Sequence, residues 1–246
     1  MVIDDLSEAR AKIEWADSHL DVLTGKISAF LRREPYRLRP EANPNGNGEY
    51  LFFEVTEAIP QSIQVDVGQI IYAQRSSLDI LACVLAEREG HIDPRRTYFP
   101  ITETEDRLSE KQARDKIRAL SDADKAAIHA LKPYKGGNNV LFALHHLNMQ
   151  DKHRKLILLG ASVAGAEYSV KPGHGGGHVR AFTLYGKVFQ DGECVAFWDA
   201  DPQMDLNLAL QVAFADVPEI GHPPVIDMLR EFSRVANVVV DSFAHP

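Results

Sequence analysis

Cysteine is nearly absent: Cys83 and Cys194 are the only two, far apart and each inside an apolar stretch. A disulfide-stapled scaffold is thereby excluded, and two buried free thiols in a reducing compartment are expected. No run reaches the roughly 18 apolar residues that a membrane-spanning helix needs. The opening MVIDDLSEARAKIEW has no basic segment leading into an apolar one, so no secretory signal is expected and the chain reads as cytoplasmic, without a membrane partner. Positive charge is also short. Lys and Arg number 27 against 35 Asp and Glu, a net charge of −8. A surface that grips nucleic acid over its whole extent is excluded, which leaves only a local basic patch. Repeats and low-complexity tracts are missing. No GxSxG element occurs and neither cysteine has a histidine nearby, so hydrolysis through Ser or Cys lacks support.

What the chain does have is enough apolar material for a core, 45% of its 246 residues, in one large domain or two small ones. Residues 7–33 carry Ile13, Leu20, Leu23, Ile27, Phe30 and Leu31 at helical intervals, with Ser7 as the expected cap and Gly25 as a weak spot. PYRLRP and YLFFEV flank EANPNGNGE, whose Asn–Gly pairs predict a β-hairpin. A second long helix is expected over 61–89, apolar nearly all round after Arg75 and so central, ending at Gly90. Two shorter helices follow, over 105–120 and 121–132, the second capped by Ser121 with Asp124. Another spans 139–151. The texture then turns to short β-branched and aromatic segments, with Asp191–Gly192 as a hairpin turn, and to a closing helix from Val225. The fold class is α+β: a helical bundle over 1–156 with a β-hairpin insertion near 36–58, then an antiparallel sheet and a C-terminal helix over 157–246, packed as one unit.

Polar chemistry concentrates in LHHLNMQDKHRKL, residues 144–156. His145 and His146 are the metal candidates, yet they lie six and five residues from Asp151, not the four that lets one helix present two ligands. In RSSLD, Arg75 and Asp79 have the spacing of an intrahelical ion pair. Charges beside an apolar run need partners, and Asp151 for Arg75 with Arg154 for Asp79 is the pairing expected across the helix interface. On that pairing Asp151→Ala strands a buried arginine. Arg75, Asp79, Asp151, His153 and Arg154 then form either a structural network or an acid–base site. KPGHGGGHVR, with His174 and His178, reads as a hairpin tip, and Lys135 in PYKGGNN as a generic anion site. No motif implies a cofactor.

RSSLDILACVLAE followed by LHHLNMQDKHRKL, with Phe99, Pro100 and Ile101 between them, resembles a broad group of bacterial proteins. In that group one helix carries R-S-x-L-D and a later one ends in D-K-H-R or N-K-H-R. The pattern is distantly similar to HEPN-type bundles, many of which are ribonucleases of defence and toxin systems. The arginine-to-histidine spacing of those ribonucleases is met by no arginine here. The resemblance implies a bacterial binding or interaction protein linked to nucleic acid or defence, with RNA, another protein or a second copy of the chain as partner. The alternative it leaves is a HEPN-like ribonuclease or metal-dependent hydrolase acting through the same five residues.

Overall fold

Apolar periodicity decides the helices. In α1 (Ser7–Leu31) the residues Ile13, Leu20, Leu23, Ile27 and Phe30 form one buried stripe, and in α2 (Gln61–Arg88) nearly every turn is buried. Pro60 precedes α2, where its fixed backbone suits a helix start, and Gly90 leaves it at φ +82°. At the head of α1 the flanking residue is Leu6, with Ser7 already helical and no side chain capping the turn, which corrects the expected Ser7 cap. The computed structural model describes all residues except 1–4, 47, 92–95, 154–155, 171–178, 182–183, 199–203, 216, 218 and 245–246. The proposed tip holding His174 and His178 lies outside the described residues.

The stretch expected as one helix over 105–120 is two: α3 (Glu105–Leu108) and α4 (Lys111–Lys116), with Glu110 extended between them. At about 100° per residue an unbroken helix would turn Ala113 and Ile117 about 140° and 180° away from Leu108. The break lets all three be buried. α5 (Asp122–Ala130) is capped as its sequence predicts, the Asp124 N–H donating to the Ser121 hydroxyl at 3.0 Å. α6 (Asn139–His153) and α7 (Val225–Asp241) complete the helices, and α1, α2, α6 and α7 pack together as the bundle.

The hairpin of β1 (Tyr36–Ala42) and β2 (Glu49–Val55) is the edge of a larger sheet. β2 pairs antiparallel with β5 (Glu193–Trp198), which pairs with β4 (Val179–Ala181), in the order β1-β2-β5-β4. A separate two-stranded ribbon joins β3 (Leu159–Val170) to β6 (Met204–Phe214) in antiparallel register, and β6 touches α1 and α7. The segment KVFQ, residues 187–190, whose β-branched and aromatic texture predicts a strand, runs without ladder pairing. Asp191–Gly192 therefore joins no hairpin of its own. The Gly192 N–H donates to the Phe53 carbonyl at 2.8 Å and the Val55 N–H to Asp191 Oδ1 at 2.9 Å, tying this turn to the end of β2. One core runs through helices and sheets, with Phe30, Phe53, Phe99, Phe214 and Phe232 fully buried. Among the described residues no helix is long and apolar enough to cross a membrane.

Candidate functional site

Arg75 lies on the buried side of α2, only 5% exposed, so its guanidinium must be satisfied from within. Its own helix supplies the counter-charge one turn on, Asp79, with Nη1 2.8 Å from Oδ1. That approach is an ion pair rather than a linear hydrogen bond, because the sealed Nη1 has no aligned acceptor. Nη2 donates to the Phe99 carbonyl at 2.8 Å, and Asp79 Oδ1 accepts the Phe99 N–H at 3.0 Å. One peptide residue is thus held at both its polar groups by the two charged ends of RSSLD. This clamp fixes the segment between α2 and α3, whose Phe99 side chain is fully buried. The segment is pinned again where the Thr102 N–H donates to the Pro133 carbonyl.

From α6 the side chain that reaches Arg75 is His145. Arg75 Nε donates to His145 Nδ1 over a long 3.4 Å. A guanidinium can only donate, so Nδ1 is the accepting nitrogen and the ring proton sits on Nε2. Burial, followed by the positive charges of Arg75 and Lys116 and the neighbouring His146 and Lys152, pushes the imidazole down to about 3, so it is neutral at physiological pH. With Nδ1 engaged and Nε2 protonated, the ring has no free lone pair for a metal. Among the described residues no three His, Cys, Asp or Glu side chains gather as a metal group. His146 instead lies beside the Phe142 ring, with centroids 6.1 Å apart.

Asp151 does not meet Arg75, which corrects the cross-helix pairing expected from sequence. α2 and α6 run antiparallel, with His145 opposite Arg75 and Asp151 two turns away against Gly68. A Cβ at Gly68 would stand 2.6 Å from the Asp151 carboxylate, so the glycine makes the room that this carboxylate occupies. Burial raises the Asp151 pKa, partly offset by Lys152. His153 ends α6, but its side chain and the whole of Arg154 lie outside the described residues, so the proposed Arg154–Asp79 pair does too. Gly68→Ala should therefore lower stability in the wild type, where the clash outweighs the roughly 1 kcal/mol of helix propensity gained. In an Asp151→Ala background it should raise stability by about that amount. Denaturant melts of the four proteins check this, and the same sign in both backgrounds would remove Asp151 from its place on Gly68.

His145 forms one wall of a half-open cleft of about 200 Å³ that also takes in Thr102, Glu103, Arg107, Glu110 and Lys116. Lys116, the last residue of α4, is half-buried and has no ion pair with any described residue. Burial and the neighbouring Arg75 lower its pKa, against a smaller upward pull from Asp79. Sequence reasoning missed this lysine, which sits in a short, mostly exposed helix with nothing local to mark it. The generic anion site at Lys135 is taken by the protein itself: Lys135 Nζ pairs with Glu219 at 2.8 Å, and Asn138 and Asn139 side chains accept the neighbouring amides. Cys83 and Cys194 are free, half-buried thiols, less buried than their apolar surroundings suggest. Compared with protein-family models, curated proteins and solved structures, the chain matches none.

Proposed function

We propose that this is a binding protein whose cleft beside His145 and Lys116 takes a small oxyanion, the phosphate of a nucleotide or of an RNA end. The observation that carries this reading is the unpaired, half-buried ammonium of Lys116 beside the buried guanidinium of Arg75. A charge held partly out of water without a counter-ion is costly, and an anion in the cleft relieves that cost. Arg107 and the Nε2–H of neutral His145 add donors of the kind that fix a phosphate. Glu103 and Glu110 on the same walls disfavour a large polyanion and favour a single group.

Supporting the binding reading over a ribonuclease is the state of His145. An imidazole neutral down to about pH 3 offers no imidazolium proton to a leaving group at pH 7. The bacterial, cytoplasmic and defence-linked setting expected from the motif resemblance fits an RNA-end ligand.

Thermal melts with inorganic phosphate, adenosine monophosphate, and a short oligoribonucleotide with or without a 5′-phosphate test the proposal. The phosphate-bearing ligands should raise the melting temperature above a chloride control of equal ionic strength. Lys116→Gln should abolish the rise while leaving the unliganded melt nearly unchanged. A rise that survives Lys116→Gln, or no rise with any of the three, sinks the proposal. A 5′-phosphate effect equal to that of the hydroxyl-ended strand removes the RNA-end assignment.

A further inference from the structure

We propose that a second cavity, between the start of α2 and the ends of the two sheets, is a binding site for a neutral, planar aromatic molecule. It is independent of the oxyanion cleft. The cavity is half open to solvent and measures about 580 Å³, inside the range of small-molecule sites.

Its walls come from distant parts of the chain: Tyr36 and Phe53 from β1 and β2, Ile59 and Gln64 from the entry to α2, Leu159 from β3, and Phe189 from the segment before β5. The rings of Tyr36 and Phe53 lie 5.4 Å apart at 27°, and those of Phe53 and Phe189 5.0 Å apart at 27°. The three rings stack on one another, and Lys187 Nζ lies 5.0 Å from the Phe189 centroid, so the row meets a flat ligand mainly with ring edges, against which another ring packs edge-to-face. The strap carrying Phe189 is held in place. Its N–H donates to the Ala161 carbonyl at 2.9 Å, and Gly160 admits Val188 where a Cβ would lie only 2.1 Å from the Val188 side chain.

Polar handles are few and neutral. Tyr36 is 9% exposed, and its hydroxyl, which makes no hydrogen bond to any described residue, is not sealed from solvent. Burial, with a smaller contribution from Glu57, pushes it up to about 12, so it remains an O–H donor at any physiological pH. Gln64 commits its Nε2 to the Ile157 carbonyl at 3.0 Å, which leaves its Oε1 as an acceptor at the wall. Asp191 is the single charged side chain among the described residues of the lining, and Lys187, which stands over the Phe189 ring, is already paired with Glu193. Anions are therefore disfavoured, the reverse of the cleft at Lys116. A flat apolar body with one hydroxyl or ring N–H fits this space and takes the hydrogen bond that the Tyr36 hydroxyl otherwise gives to water.

Naphthol is the probe, with naphthalene and naphthoate as comparisons, in fluorescence titrations of the full chain. Naphthol should bind saturably and naphthoate at least tenfold more weakly. Tyr36→Phe keeps the stacked ring and should weaken naphthol roughly 3- to 10-fold while leaving naphthalene unchanged, as loss of one hydrogen bond requires. Ile59→Trp fills the cavity from a half-buried wall position and should block both. Intermolecular NOEs from naphthol to the Tyr36 and Phe189 ring protons, measured on the wild type, locate the probe without relying on any variant. Absence of saturable naphthol binding, NOEs to other rings only, or naphthoate binding as tightly as naphthol would each overturn the proposal. Undiminished binding in a folded Ile59→Trp protein would overturn it as well.

Discussion

Arg75→Met is expected to cost about 3–5 kcal/mol of stability, the usual result of removing one partner from a buried charged network. The loss has three identifiable parts. The Phe99 carbonyl loses its 2.8 Å donor inside the core. Asp79 loses its counter-charge while still holding the Phe99 N–H. His145 loses the hydrogen bond at Nδ1. Against a total of about 5–15 kcal/mol for a domain, this is a large fraction, and in a chain of this size it lowers the melting temperature by on the order of 10 °C. Arg75→Lys should recover little, because a single ammonium cannot reach Asp79, Phe99 and His145 in the fork geometry that guanidinium provides. Changing both charges, Arg75→Met with Asp79→Leu, should be at least as harmful as Arg75→Met alone, since the Phe99 N–H then loses its acceptor as well, while the partly exposed Asp79 carboxylate is cheap to leave unpaired. Urea melts of the three variants check the ordering. A loss under 1 kcal/mol for Arg75→Met would mean that the clamp on Phe99 is not what holds the 97–101 segment.

The legible parts of this fold are those set by local periodicity. The buried stripe of α1, the all-round burial of α2, the Ser121 cap and the i, i+4 pair Arg75–Asp79 follow from spacing alone. Helical spacing says which residues share a face but not how far one helix slides along another. That is why spacing alone matches Asp151, rather than His145, to Arg75. The signal that fixes the slide is Gly68, a small residue inside an apolar helix where the Asp151 carboxylate finds room. Strand partners were equally hidden: β2 pairs with β5, some 140 residues later, and nothing in either segment encodes that choice. The site follows the same division. Its charged residues on α2 announce themselves, whereas the Phe99 peptide groups and Lys116 enter it only because the chain between α2 and α5 folds back over them.

His145→Asn should flatten the acid side of the stability curve. The folded chain refuses a proton at His145 until about pH 3, while the unfolded chain accepts one near 6.5. Above pH 6.5 both states are neutral and the residue contributes nothing. Below it the unfolded state gains a proton that the folded state does not, so stability falls by up to about 1.4 kcal/mol per pH unit down to pH 3. Burial is the main cause, and the groups that add to it surround the ring from three helices: Arg75 on α2, Lys116 on α4, and His146 and Lys152 on α6. Asparagine offers Oδ1 to the Arg75 Nε–H and does not titrate, so the clamp survives at neutral pH while the acid penalty disappears. The interval from pH 6.5 to 5 isolates the effect. There the paired carboxylates Glu54, Glu57, Glu193, Glu219 and Glu231, all held below their usual range, are still ionised and add no slope. Asp151 works in the opposite direction, since its raised pKa makes proton uptake favourable to the folded state as the pH falls. Urea melts at half-unit steps across that interval should show the wild type losing stability relative to His145→Asn, with the two nearly equal at pH 7. Curves that stay parallel down to pH 5 would mean that His145 titrates like an ordinary histidine and is not buried beside Arg75 and Lys116.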